Sequence, residues 1–214
     1  MSAEEVVRYL QDNPSFFEDY AELLAQIYIP HPHGGRAIPI AERQILTLRE
    51  RSKMLERKLA ELIQFGEEND ARDKKMHRLC LGLIPAGDMH STLQALYYNL
   101  GEDFAVPHAA VRVWLGAGEG TEFAPVSEEL RQYAGSLEHP YCGPSVNPEV
   151  ATWFGEAAAQ LRSVACMPLR DESKVCFGML ALASEDATRF YPDMDTLYLM
   201  RLGELTSAAF KRYL

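Results

Sequence analysis

Between Ile40 and Leu83 the apolar residues recur every seven positions, and this repeat constrains the fold more than any other feature. Counted from Ile45, the a positions carry Ile45, Ser52 and Leu59, and the d positions carry Leu48, Leu55 and Leu62. Apolar residues at five of those six places are the pattern of a helix that meets a partner helix. The strict count then puts Gly66, Asn69 and Asp73 in the seam, before apolar spacing resumes at Met76 and Leu83. At 1.5 Å rise per residue such a helix is a rod of roughly 60 Å, too long to be buried inside one small domain. The expectation is a dimerising connector over 38–85, with Ile45, Leu48, Leu55, Leu59 and Leu62 at the dimer interface. The polar interruption reads either as a weak segment that lets two modules shift, or as a place where the helix ends or bends.

Between Glu42 and Lys58 stand six basic and three acidic residues. A DNA-gripping basic region would need that stretch in a groove, yet the same residues carry the apolar seam, so a solvated coil face is the better account. Arg51 at a g position would face Glu56 at an e position of a parallel partner. The chain has 214 residues and a net charge of −10, which disfavours nucleic acid and anionic membranes as partners. No run reaches the ~18 apolar residues of a membrane span, and the acidic Met1-Ser2-Ala3-Glu4-Glu5 lacks the parts of a signal peptide. Four scattered cysteines read as reduced thiols of a cytoplasmic protein.

Ahead of the long helix, Ser2 and Glu5 form a possible capping box for a short helix bearing Val6 and Leu10. Asn13-Pro14 is expected to stop it and cap a second helix carrying Phe16, Phe17, Tyr20, Leu23, Leu24 and Ile27. These form a hairpin with its linker over 1–37, too apolar to stand without a docking partner. His31 and His33 lie in the Pro- and Gly-rich linker with no third ligand nearby, so they read as loop residues and no metal is expected. Downstream, Pro85-Ala86-Gly87 breaks the long helix, and Asp88 caps another that runs to about Asp103. The period then changes. Val111, Val113 and Leu115 alternate with Ala110, Arg112 and Trp114, as in a strand. The glycines at 116, 118 and 120 open no βαβ unit and read as a strand connection. Leu161–Leu169 and Val175–Ala183 read as two continuously apolar strands of a sheet covered on both faces. A terminal helix is expected from Pro192-Asp193.

Met167-Pro168-Leu169, Phe177-Gly178-Met179-Leu180-Ala181-Leu182 and Arg189-Phe190 followed by a helix resemble a GAF domain over about 86–214. The whole chain resembles more particularly a bacterial GAF-like family of unknown function, number 484 in the domain-of-unknown-function series. That likeness rests on Val6-Val7-x-Tyr9-Leu10-x-x-Asn13-Pro14-x-Phe16-Phe17, Leu23-Leu24, Ile29-Pro30-His31 and Glu42-Arg43-Gln44. It implies an α+β fold: a central antiparallel sheet flanked by helices, preceded here by the long helix and the hairpin. A capping Ser just before the long helix is expected in relatives, whereas this chain has Ile38-Pro39-Ile40. Genes of this kind often sit beside a site-specific tyrosine recombinase, which the resemblance offers as a protein partner. The motifs by which GAF domains hold bilin or cyclic nucleotide are not recognisable, so no cofactor is named.

If the face carrying Arg112 and Trp114 looks into the pocket usual in GAF domains, an arginine beside an aromatic ring suits an anionic planar ligand. Tyr141, Trp153, Phe154 and Met179 are further candidates for its walls. The competing account has Arg112 paired locally and Trp114 filling core. His139-x-x-Cys142 has a spacing shared with metal and nucleophile sites but lacks an orienting acid or amide, so no catalytic residue is assigned. The expectation is a non-enzymatic, homodimeric regulatory or sensory module that binds a small ligand or a protein. The alternative is a structural adaptor with a filled core that recruits a protein through its N-terminal helices.

Overall fold

A computed structural model describes residues 2–29, 38–116, 118–145 and 147–214; the linker histidines His31 and His33 lie outside them. Packing divides the chain into two units, Met1–Glu68 and Asn69–Leu214.

In the first unit, α1 (Ala3–Asp12) opens with the full capping box. The Ser2 amide donates to the Glu5 carboxylate at 2.7 Å, and the Glu5 amide donates to Ser2 Oγ at 3.2 Å. Asn13 does not cap the next helix, as its place before proline suggests. Its backbone and side-chain amides both donate to the Tyr9 carbonyl, at 3.0 and 2.9 Å, and so close α1. The expected second helix is two short ones, α2 (Phe16–Asp19) and α3 (Ala21–Gln26), separated at Tyr20. Phe16 stacks on Tyr20 with centroids 4.7 Å apart and meets Tyr9 edge-on at 6.3 Å. Strands β1 (Tyr28–Ile29) and β2 (Ile38–Pro39) pair antiparallel, with Tyr28 opposite Pro39. The long helix α4 follows at once, spanning Ile40–Leu83 without a break at Gly66. No described side chain of this unit is buried.

The second unit is built on an antiparallel sheet in the order β3-β6-β5-β4. Its strands are β3 (His108–Val113), β4 (Tyr141–Gly143), β5 (Ser163–Arg170) and β6 (Cys176–Ser184). Three helical segments cover one face. They are the last turns of α4 through Met76, Leu79 and Leu83, then α5 (Met89–Glu102) through Leu93, Leu96 and Leu100, and α8 (Leu197–Lys211) through Leu199, Leu202 and Phe210. They pack on Val111, Val113, Met167, Leu169, Leu180 and Leu182. Asp88 caps α5 as expected, accepting from the Ser91 amide at 2.7 Å. The apolar return at Met76 and Leu83 is therefore core of this unit, with both side chains buried. Helix α8 starts four residues later than Asp193, because Tyr191–Met194 form a turn and Asp195 accepts from the Leu197 amide. It lies alongside the end of α4. Tyr198 Oη donates to the Asn69 carbonyl and Arg201 pairs with Asp73, each at 3.3 Å, while Arg212 donates to the Ile84 carbonyl at 3.2 Å.

The opposite face is covered by α6 (Glu128–Ser136) and α7 (Pro148–Thr152) through Leu130, Ala134 and Val150. Both faces are thus dry along β6, which explains its unbroken apolar run. A bulge sets which side chain goes where. Leu169 pairs with Gly178 but Arg170 pairs with Cys176, so Phe177 is the extra residue. Phe177 turns into the α5–α8 core while Cys176 turns to the other face. A Cβ on Gly178 would stand 2.7 Å from the Arg112 carbonyl oxygen, so this close strand crossing requires glycine. No helix among the described residues is long and apolar enough to cross a membrane.

Candidate functional site

The six residues singled out from the sequence belong to the sheet face under α6 and α7. Arg112 and Met179 are cross-strand partners on β3 and β6. Trp153 and Phe154 come from the end of α7, whose start is fixed by the Asn147 side chain accepting from the Glu149 amide at 2.9 Å and by Pro148. Glu149 also accepts from the Ser127 amide at 2.9 Å and from the Ser127 hydroxyl, which ties the starts of α6 and α7 together.

At the β3 edge the Arg112 guanidinium lies 5.0 Å from the Trp153 ring centroid and donates to the Val111 carbonyl at 2.8 Å. That carbonyl belongs to an edge strand, so arginine supplies a partner the sheet does not. Burial pulls the Arg112 pKa below its ordinary value, while Tyr97 and Glu122 oppose that shift. Tyr97 Oη donates to Glu122 at 3.1 Å, and burial first, then that carboxylate, hold the phenol well above its usual range. Met179 is fully buried. Trp114 donates from Nε1 to the Cys176 carbonyl at 3.0 Å and packs on the same core. Tyr141 sits on β4, at the other edge of the sheet, with its hydroxyl donating to the Ser145 carbonyl at 2.5 Å. Two strands separate it from Arg112, on the order of 14 Å at the usual strand spacing. The structure therefore brings Arg112, Met179 and Trp153 together and leaves Tyr141 apart. Met179 is part of a core that α6 and α7 cover, Trp114, Tyr141, Trp153 and Phe154 pack against it, and Arg112 reaches it through the Trp153 ring.

Cys142 is buried under the α5–α8 face, and burial pushes its thiol up to about 11, whereas His139 is exposed. A protonated, enclosed thiol is a poor nucleophile at neutral pH. Among the described residues no group of three or more His, Cys, Asp or Glu could hold a metal ion.

An open cleft of about 1160 Å³ lies elsewhere, between α8, the end of α6 with the residues that follow it to Pro140, and the turn after β5. Arg170 dominates it structurally. Its guanidinium donates to the carbonyls of Gly135 at 2.9 Å, Leu137 at 2.8 Å and Lys174 at 3.0 Å, closing the end of α6. Sequence reasoning assigns Arg170 no role. The one available signal was that the last turn of α6 carries no basic residue of its own. Glu122 was missed as well, and nothing in its sequence neighbourhood marks it.

The profile of a family described as "Protein of unknown function, DUF484" matches residues 1–214. The chain belongs to this family. No protein of curated function matches it. Among solved structures, the chain is similar to the GAF domain of a phosphoenolpyruvate-protein phosphotransferase from Coxiella burnetii. That match has 12% identity and a TM-score of 0.51, over 66% of this chain and 93% of the other. It is also similar to the nlh2 GAF domain of A. aeolicus in an inactive state, at 14% identity and a TM-score of 0.48, over 67% of this chain and 98% of that one. The fold of this DUF484 chain is that of a GAF domain, with an added N-terminal unit.

Proposed function

We propose that this DUF484 chain is a non-enzymatic regulatory module that works as a parallel homodimer and acts by recruiting a protein. The observation that carries this reading is the α4 seam: Ile45, Leu48, Leu55, Leu59 and Leu62 are 50 to 66% exposed in the single chain. Large aliphatic side chains in heptad register gain most by meeting the same stripe of a second copy. Val7, Tyr9, Phe17, Tyr20 and Leu23 on α1–α3 are likewise exposed and supply an apolar surface for a partner protein. The filled face around Met179 supports an adaptor over a small-molecule sensor, because the Arg112 guanidinium is already stacked and hydrogen-bonded. Replacing Leu55 and Leu59 with Lys puts charges into the seam, at a cost of several kcal/mol. Native mass spectrometry at micromolar protein is expected to give a dimer for the native chain and a monomer for the variant. An unchanged mass in the variant, or a native chain that is already monomeric, refutes the reading.

A further inference from the structure

Two apolar stripes of the first unit lie outside the seam and stay uncovered. One runs along α2–α3, where Phe17, Tyr20, Leu23 and Ile27, spaced three, three and four, are 38 to 53% exposed. The other is on α4, where Leu46, Met54 and Phe65 are 43, 47 and 57% exposed. At about 100° of turn per residue these three share one side of the helix, roughly 100° or more around from Leu48. Helices of 10, 4 and 6 residues are too short to hold their shape alone, and none of their described side chains is buried. The hairpin needs a surface to pack on. An apolar face wider than the a/d seam is the mark of a helix that takes more than one neighbour.

The two stripes are opposite in charge. Residues 2–29 carry Glu4, Glu5, Asp12, Glu18, Asp19 and Glu22 against Arg8 alone, whereas α4 carries six basic and three acidic residues between Glu42 and Lys58. Arg43, Lys53, Arg57 and Lys58 stand on or next to the side that bears Leu46 and Met54. Within one chain both stripes stay exposed, so neither covers the other. Area points the same way. The five seam side chains are half to two-thirds exposed, which offers on the order of 300 Å² per copy, well below the ~800 Å² per partner of a standard interface. The seven residues of the two stripes would add roughly 400 Å² per copy.

We infer that the α2–α3 stripe of one copy docks on the Leu46, Met54 and Phe65 side of a second copy's α4, and the reverse, so that two long helices and two hairpins close one bundle. This rests on the dimer reading above and divides the apolar surface of α1–α3. The α2–α3 stripe goes to the second copy, while Val7, beside a shallow groove lined by Ala3 and Gln11 on α1, stays open to a recruited protein. The occupant is a second copy because a parallel seam sets that copy's α4 about 10 Å away. Its basic side then lies within reach of a hairpin that the Tyr28–Pro39 pairing ties to the start of its own α4.

Isotope-coded cross-linking of the full-length chain tests it. Unlabelled and 15N-labelled protein are unfolded in urea, refolded together so that copies mix, and treated with a carbodiimide, which joins carboxylates to lysines in contact. Mass spectrometry is expected to find Glu18, Asp19 or Glu22 joined to Lys53 or Lys58 in peptide pairs with one member labelled and the other not. By analytical ultracentrifugation, Tyr20→Glu with Leu23→Glu, and separately Leu46→Glu with Met54→Glu, are each expected to weaken dimerisation at least tenfold. Pairs that are only like-labelled place the hairpin on its own α4 and overturn the docking in trans. Absence of those pairs from a dimeric sample, or an unchanged dissociation constant in either variant, overturns it too, and in all three cases the dimer stands. A native chain that sediments as a monomer removes the dimer reading itself, and the docking with it.

Discussion

A truncation series would test how far the GAF unit extends into the long helix. Residues 86–214 contain every strand of the sheet, and the sequence places a boundary near Pro85, whereas packing draws it at Asn69. A fragment starting at Ala86 lacks Met76, Leu79 and Leu83, all buried against α5 and α8. Each such side chain contributes about 2 kcal/mol by burial, so together they contribute about 6 kcal/mol, or about 4 if the unfolded chain is already partly compact. The polar contacts of Asn69 and Asp73 with α8 are exposed and add little. A domain this size is stable by only ~5–15 kcal/mol. Fragments 69–214 and 86–214 would be unfolded in urea and followed by Trp114 and Trp153 fluorescence and by far-UV circular dichroism. The longer fragment is expected to unfold cooperatively. The shorter should lose most of its stability, and with it the sharp transition. Equal urea midpoints for the two would refute the assignment of the α4 tail to this core.

Two further outcomes follow from the same core. Gly178→Ala drives a methyl against the Arg112 carbonyl and is expected to cost about 1–3 kcal/mol, read as a lower thermal midpoint; an unchanged midpoint would contradict the close crossing. Burial raises the Cys142 and Cys166 thiols from 9.0 to about 11 and about 12, so their stabilising effect is complete below pH 9. Above that the unfolded thiols ionise first, and stability is lost as pH rises through about 11 to 12. Cys142→Ala should make the alkaline decline in urea midpoint shallower, and an identical slope would count against a buried thiol there.

Much of this fold was legible because its signals are local. Asp88 before an apolar periodic stretch, and the alternation of Val111 and Val113 with Arg112 and Trp114, depend on near neighbours alone. The continuous run of β6 announced two covered faces. Other features depend on register or on distant chain. The bulge at Phe177 exists only once β5 and β6 are paired, and the strand reads the same without it. Arg170 closes a helix that ends 34 residues earlier, and Glu122 meets Tyr97 across 25 residues. The heptad count was right about where α4 is helical and silent about what covers each stretch. It assigned Met76 and Leu83 to one seam with Leu62, because a count along the sequence cannot register that α5 and α8 cover the end of the helix. The candidate site was legible as a face: alternation placed Arg112 and Trp114 together. Whether that face is a cavity or a packed layer depends on α6 and α7, whose approach no local pattern encodes.

The polar stretch after Leu62 stands where α4 passes from exposed apolar residues to residues buried in the core of the second unit. Asn69 and Asp73 weaken a heptad seam, yet they are the residues that α8 contacts through Tyr198 and Arg201. A leucine at 73 would favour a coil and forfeit that pairing. Each contact is exposed and small, so they select a position for α8 more than they stabilise it. The register of the α4 tail is set elsewhere. Turning it by one residue moves every side chain by about 100°, which would lift Met76, Leu79 and Leu83 out of the core together. A rotation or slide of the tail therefore competes with the burial of three large side chains, while the exposed seam before Gly66 has no such anchor.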